Sequence, residues 1–527
     1  MSELDDLTPR VSIPRGAPWF LLGAIMGLLL LGLPPLVAAE PLLQVAAVVH
    51  AHSTWSSGDQ TLGQLVARAR AADVGAVFLA ENHLLRFEYG LPPLRHLLRY
   101  RVDYPSLLSQ GSEPFLNAVG EANARQDEVI LIPGTEVTPH YYWTGNILQG
   151  TLTMRDGQKN LLVLGLYRSE DYRDLPVVGN PGAGRWGIES LWLVSPMLLA
   201  LPGVWLLRAR RRRIVRLQYF QVAEEHRFTG YGILCLAIAG VLLANNFPFR
   251  RAPLSPYDSA AGLRPHQTLI DIATTRGGLT VWSLPEARDH QVVTIAGLRA
   301  TIQTDPYPDD LLHTDRFTAF GGIYEDTSTF TQPGGGWDRL LIDYLDGRRK
   351  TPAWAIGEAA YHREGQAGKR FGGIQTILLV TRKDASSLLQ AVRDGRMYAL
   401  QRAAEVGLVL EQFQVVGPDL PPAEAGDRVI VPVASHPAVR VAIRSTDGRR
   451  VPIEALLIRS GNIVHSVRGE TPLAFRWDEP PLAQGARRYY RLQVRGHGGH
   501  EILSNPIFVK SLLAARSCCA SDCHCQC

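Results

Sequence analysis

The stretch Val45-Ala46-Ala47-Val48-Val49-His50-Ala51-His52 decides how the rest of the chain reads. Residues 45–49 are apolar and valine-rich, the pattern of a buried strand. Side chains alternate along a strand, so His50 and His52 are expected on one side of its end, where they can chelate one metal ion. After Thr61, the residues Leu62, Leu65, Val66, Ala69 and Ala72 recur at helical spacing until Gly75, a C-cap residue. A second apolar run, residues 76–80, then delivers Glu81-Asn82-His83. The result is a β-α-β unit whose strands both finish in ligand-type residues, at the end where α/β barrels carry their chemistry.

A third buried run, residues 129–132, leads through Pro133-Gly134-Thr135 to Glu136. Core packing does not call for His50, His52, His83 and Glu136 at three strand ends; solvated loop polars are the alternative. The pattern resembles the polymerase and histidinol phosphatase (PHP) superfamily of metal-dependent hydrolases. His50-Ala51-His52-Ser53 looks like its first motif, Glu81-Asn82-His83 stands where the family has Thr-Asp-His, and Gly134-Thr135-Glu136-Val137-Thr138 looks like its Gly-x-Glu motif. The resemblance spans residues 44–170 and 260–402. It implies a distorted (β/α)7-type barrel with up to three metal ions in its mouth, Glu136 bridging ions, and His83 beside it in catalysis.

Later motifs depart from the family. Residues 279–282 read as a strand delivering Ser283-Leu284-Pro285, where the resemblance implies a histidine in place of Leu284. Residues 352–356 lead to Glu358-Ala359-Ala360-Tyr361-His362: His362 matches, but Ala360 replaces an aspartate. Before the strand at 161–164, Gln158-Lys159-Asn160 offers no histidine. Asp59, Glu358 and His140 are the substitutes within reach, His140 reading equally as an ordinary histidine of an aromatic cluster; Glu81 is a further candidate ligand and Arg86 a candidate anion contact. His50, His52, His83, Glu136 and His362 suit one or two ions, and nitrogen-rich ligand sets favour zinc, manganese or iron over calcium or magnesium.

With 527 residues and 46% hydrophobic content the chain is long enough for two or three domains. The net charge of +4 makes no case for nucleic acid. Residues 18–39 lack charge over a bilayer-spanning length; an anchor is favoured over a signal peptide ending at Val37-Ala38-Ala39. Residues 188–207 and 230–247 are two further apolar blocks, joined by a segment containing Arg208, Arg210, Arg211, Arg212, Arg213, Arg216 and Arg227. Arginine on that loop and at Arg10 and Arg15 places both on the cytoplasmic side, against the weaker pull of Arg250 and Arg251.

The expected organisation is therefore an α/β barrel interrupted by a transmembrane helical hairpin. Residues 1–17 are a cytoplasmic N-terminus, 18–39 a first span, 40–187 the first part of the barrel, 188–207 a second span, 208–229 a basic loop and 230–247 a third span. Residues 248–402 complete the barrel, 403–510 form a small β-sandwich, and 511–527 are a cysteine-rich tail holding five of six cysteines, read as disordered, disulfide-bonded or metal-binding. Function follows as a metal-dependent hydrolase of phosphoesters at an extracytoplasmic site of the inner membrane. A degenerate barrel that binds a ligand or protein partner without turnover is the alternative.

Overall fold

The computed structural model describes residues 42–512, apart from 217, 296, 327, 403–405 and 418–419. The expected N-terminus and first span at 1–39, and residues 513–527 of the cysteine-rich tail, lie outside the described residues.

Strand β1 (Leu43–Ala51) is the buried valine run. Helix α1 (Leu62–Ala71) starts at a capping box: Thr61 accepts from Gln64 N and the Gln64 side chain accepts from Thr61 N. Its buried face is Leu62, Leu65, Val66 and Ala69, each large side chain stabilising by about 2 kcal/mol when fully buried. Strand β2 (Ala76–Leu79) lies parallel to β1, as the crossover demands. The chain steps at Ala80 into β3 (Glu81–Asn82), which belongs to another sheet. Residues 130–137 make the same step: β4 (Ile130–Ile132) pairs with β2, Pro133 interrupts, and β5 (Gly134–Val137) pairs with β3. A proline has no N–H to give a ladder, so a break there is natural.

Then come β6 (Leu161–Leu164), β7 (Leu279–Trp282), β8 (Ala319–Ile323), β9 (Trp354–Gly357), β10 (Ile374–Val380) and β11 (Met397–Gln401). One sheet runs β4-β2-β1-β10-β11 and the other β3-β5-β6-β7-β8-β9. The mixed α/β architecture agrees with the expected distorted (β/α)7-type barrel, and its closure is not seen among the described residues. Ladder bonds form two sheets, not a closed ring, among the described residues. β6 runs antiparallel to both neighbours and β10 antiparallel to β1. Between β5 and β6 the chain forms short strands (Tyr142–Thr144 and Thr153–Arg155) and no α-helix, so nothing carries it back for a parallel return.

Two helices, Ser190–Arg208 and Thr229–Asn246, are long and apolar enough to cross a membrane. They pack closely: a Cβ on Gly232 would lie 2.8 Å from Gly203 O, the approach small residues permit. Leu191, Trp192, Leu201, Trp205, Tyr231 and Ile233 remain more than half exposed. The arginine-rich connection is a β-hairpin pairing Arg210–Arg216 with Gln221–Arg227.

The C-terminal region is rich in β-structure. Its strands Arg487–Gly496, His500–Ser504 and Ile507–Ser511 extend the first sheet, because His500–Ser504 pairs with β11. A second sheet, Leu420–Ala423, Leu408–Gly417, Ala438–Ser445 and Leu473–Asp478, closes a shared core that includes Tyr398 and Leu400 of β11. The Arg491 guanidinium, fully buried, makes two 2.7 Å bonds to Asp338 of the helix Gly336–Leu345, and Tyr489 donates to the same carboxylate at 2.6 Å.

Candidate metal centre

β1 is not a regular strand at its functional end. Its register with β2 slips between Val49 and Ala51, and His50 takes a left-handed φ of 70°. The simple alternation expected for His50 and His52 is thus replaced by a bulge, which re-aims a side chain. The two rings still converge, with Nε2 atoms 3.1 Å apart. Glu136, at the end of β5, completes the group: Oε1 is 3.4 Å from His50 Nε2 and Oε2 is 3.7 Å from His52 Nε2. Ligand atoms of these three residues all lie within 4.8 Å of one another.

The segment after β9 runs beside the bulge. Ala359 N donates to Val49 O, Tyr361 N to His50 O and His52 N to Tyr361 O, each at 2.8–2.9 Å. This brings Glu358 behind His50, whose Nδ1 donates to Oε1 at 2.6 Å. Ser283 Oγ and Leu284 N donate to the same buried carboxylate. A carboxylate on the far nitrogen of a ligating histidine fixes its tautomer and raises its basicity. The same segment lays the His362 ring on His52, centroids 4.0 Å apart and nearly parallel. His362 Nδ1 lies 3.1 Å from Ala360 O.

Asn82 Nδ2 donates to Glu136 Oε2 at 2.7 Å and Asn160 Nδ2 to Oε1 at 2.6 Å. These amides orient the carboxylate and were not singled out as site residues from sequence. Their available signal is position: Asn82 precedes His83, and Asn160 precedes the strand that pairs with β5.

His83 is buried, and both its ring nitrogens lack a hydrogen-bond partner among the described residues. Burial holds its pKa down at about 3. A buried polar atom left unsatisfied costs roughly 1–3 kcal/mol, a cost that a ligated ion removes.

Other expected ligands are placed elsewhere. Alternation on β3 turns Asn82 toward Glu136 and Glu81 away. The Glu81 carboxylate is taken up by Ser53 N at 3.0 Å and by the hydroxyls of Ser53 and Ser56. His140 lies past the end of β5, bonding Ser255 O at 3.1 Å beside an aromatic side core of Tyr141, Trp143 and Phe87. Asp59 is exposed, with its main-chain N–H on His362 O. Arg86 is committed to Asp103 and to Gly179 O at 2.5 and 2.7 Å. Leu284 and Ala360 keep left-handed φ values of 44° and 42°.

The electrostatics suit a cation. Burial alone pushes the Glu136 carboxyl up, but His50, helped by His52 and His362, outweighs it and holds the pKa at about 2. Burial likewise favours neutral His50, yet Glu136 and Glu358 overcome it and raise the pKa to about 9. Burial, then His362, keeps His52 far below its ordinary value. Without a metal ion His50 carries the proton that balances Glu136, a place a divalent ion would take over, and an ionised carboxylate with two imidazoles is a divalent-metal donor set.

No protein-family model matches the chain, and no curated protein matches it. Solved structures similar to it include a two-domain Bacteroides vulgatus protein containing a predicted PHP-like metal-dependent phosphoesterase. That match has 9% identity, covers 89% of this chain and 96% of the other, and has a TM-score of 0.34. A Bifidobacterium adolescentis protein assigned as a metal-dependent phosphoesterase matches at 14% identity, covering 62% and 91%, with a TM-score of 0.25. A Chromobacterium violaceum amidohydrolase with bound sulfate and no metal matches at 13% identity, covering 62% and 90%, with a TM-score of 0.26. Likeness at this level carries nothing about activity.

Proposed function

We propose that this protein is a membrane-anchored, metal-dependent hydrolase of phosphoesters. The convergence of His50, His52 and Glu136 at two strand ends, with Glu358 behind His50, carries the reading. His50, His52 and Glu136 would hold one divalent ion; His83, whose two nitrogens have no partner among the described residues, is the donor available to a second. Zinc, manganese and iron fit these donors. The chemistry such an ion supplies is Lewis-acid polarisation of the ester and activation of water. The chain's own part is orientation: Asn82 and Asn160 aim the Glu136 oxygens, and Glu358 sets the His50 tautomer.

The two apolar helices anchor the α/β body, and the arginine-rich hairpin marks the cytoplasmic side, leaving the centre outside the inner membrane. A second reading, a ligand- or partner-binding protein without turnover, is favoured by Leu284 and Ala360 standing at two expected ligand positions. Metal analysis of the purified full chain, with a generic aryl phosphate as substrate, separates them. The hydrolase reading expects bound metal and turnover, both lost in His52→Ala. Bound metal without turnover on a broad phosphoester panel supports the second reading, and unchanged metal content in folded His52→Ala rejects the proposed ligands.

A further inference from the structure

The loop of residues 361–373, Tyr-His-Arg-Glu-Gly-Gln-Ala-Gly-Lys-Arg-Phe-Gly-Gly, follows His362 and returns to the site through Lys369. Its backbone is a tight reversal: Gly365 N donates to Lys369 O at 2.8 Å, and Gly365 and Gly368 take φ of 77° and 78°, which glycine adopts without strain. Glu364 pins the loop by accepting from Arg68 at 2.8 Å and from Phe371 N at 3.2 Å. The Lys369 Nζ donates to Ala360 O at 2.8 Å, the carbonyl that also lies 3.1 Å from His362 Nδ1. The ammonium therefore adjoins a ring whose face lies on His52.

An ammonium has three N–H donors. One is given to Ala360 O; the contacts to Ala359 O and to the Glu325 carboxylate are long, both 3.4 Å. The lysine side chain is 17% exposed, so it is held in place without being sealed off from solvent. At position 360, where the sequence resemblance calls for a carboxylate, the chain offers a methyl group, and a fixed positive charge stands next to it. Like charges at this range repel in a partly dry site, which opposes a cation on the His362 side and favours an anion.

We infer that Lys369 takes the place of one metal ion, limiting the ions held beside His362 and binding the phosphoryl oxyanion of the substrate directly. The inference rests on the phosphoester reading above for the substrate's identity, but its anion site is testable without turnover. The probe is inorganic phosphate, titrated calorimetrically into the detergent-solubilised full chain, metal-loaded and metal-free. Lys369→Met should keep the metal content and weaken phosphate binding roughly 10- to 100-fold, the loss expected for a hydrogen bond to a charged group. Lys369→Arg should recover most of it. In turnover, Lys369→Met should raise KM more than it lowers kcat. Ala360→Asp/Lys369→Met should take up one more ion per chain than the wild type, while Ala360→Asp alone should not, because the new carboxylate would pair with Lys369.

Phosphate binding that depends on Lys369 without any turnover would reject the hydrolase and leave this inference standing. Unchanged phosphate affinity in Lys369→Met, or loss of metal in that variant, would overturn it. In the wild-type protein, phosphate should slow acetylation of Lys369 mapped by mass spectrometry; unaltered labelling overturns the inference even where the variants do not fold.

Discussion

Gly321 offers a test of whether Glu358 matters to the centre. A Cβ at this position would lie 2.2 Å from Glu358 Oε2 and 3.3 Å from Leu284 N. A carbon–oxygen contact settles at roughly 3.3 Å, so in Gly321→Ala the carboxylate must retreat by about 1 Å. It has little room, being fully buried and bonded to His50, Ser283 and Leu284. The crowded Oε2 is the oxygen held by Leu284 N at 3.0 Å, and because the carboxylate is one rigid group its displacement also draws Oε1 off the 2.6 Å bond to His50 Nδ1. Removing the outer partner of a ligating histidine typically weakens metal binding 10- to 100-fold, about 1.4–2.8 kcal/mol. The assay is zinc competition against a chromophoric chelator, with thermal melts to show that the variant folds. Glu358→Gln should cause a similar loss. The double variant should lose little more, because both changes remove one contact. Wild-type zinc affinity in folded Gly321→Ala, or fully additive losses, would refute the reasoning.

Reporter fusions after residues 180 and 260 should both read as extracytoplasmic and one near Arg213 as cytoplasmic; a cytoplasmic signal at 260 breaks the topology. In metal-free protein His50 titrates near 9 rather than 6.5. A raised histidine pKa stabilises fully below about pH 6.5, and that stability is lost as pH climbs through about 9, on the order of 3 kcal/mol in all. Melting temperature in chelator should fall across that window more steeply for wild type than for His50→Gln, and parallel curves would contradict it. Arg491→Leu leaves Asp338 buried without its cation, which costs roughly 3–5 kcal/mol. Denaturant melts should show that loss; a change under 1 kcal/mol would mean water or Tyr489 suffices.

How much of the centre is legible in the sequence depends on the range of the interaction that makes it. The valine run before His50, the helix from Leu62 and the apolar runs before His83 and Glu136 are periodic patterns closed within about ten residues, and a reader can place ligand-type side chains at the strand ends from them. Glu358 was within reach of such a reading only as a nearby carboxylate. Its pairing with His50 joins residues 308 positions apart. The sequence also separates two apolar, membrane-length segments by an arginine-rich one, because hydropathy is a local property.

The tertiary structure decided the rest. Whether β6 runs parallel or antiparallel depends on what fills the connection before it, and the strands at 142–155 lack the helix that would reverse the path. The bulge at His50 arises between β1 and its neighbours, so it cannot be seen in the alternation of β1 alone. Glu81, Asp59 and His140 have the right chemistry in the right neighbourhood, but side-chain direction sends them to Ser53, solvent and Ser255. Asn160 and Lys369 carry no metal motif and reach the centre because a strand pairing and a glycine-rich turn bring them there. Local periodicity determines which residues stand at strand ends; hydrogen bonds between distant segments determine which of them face one another.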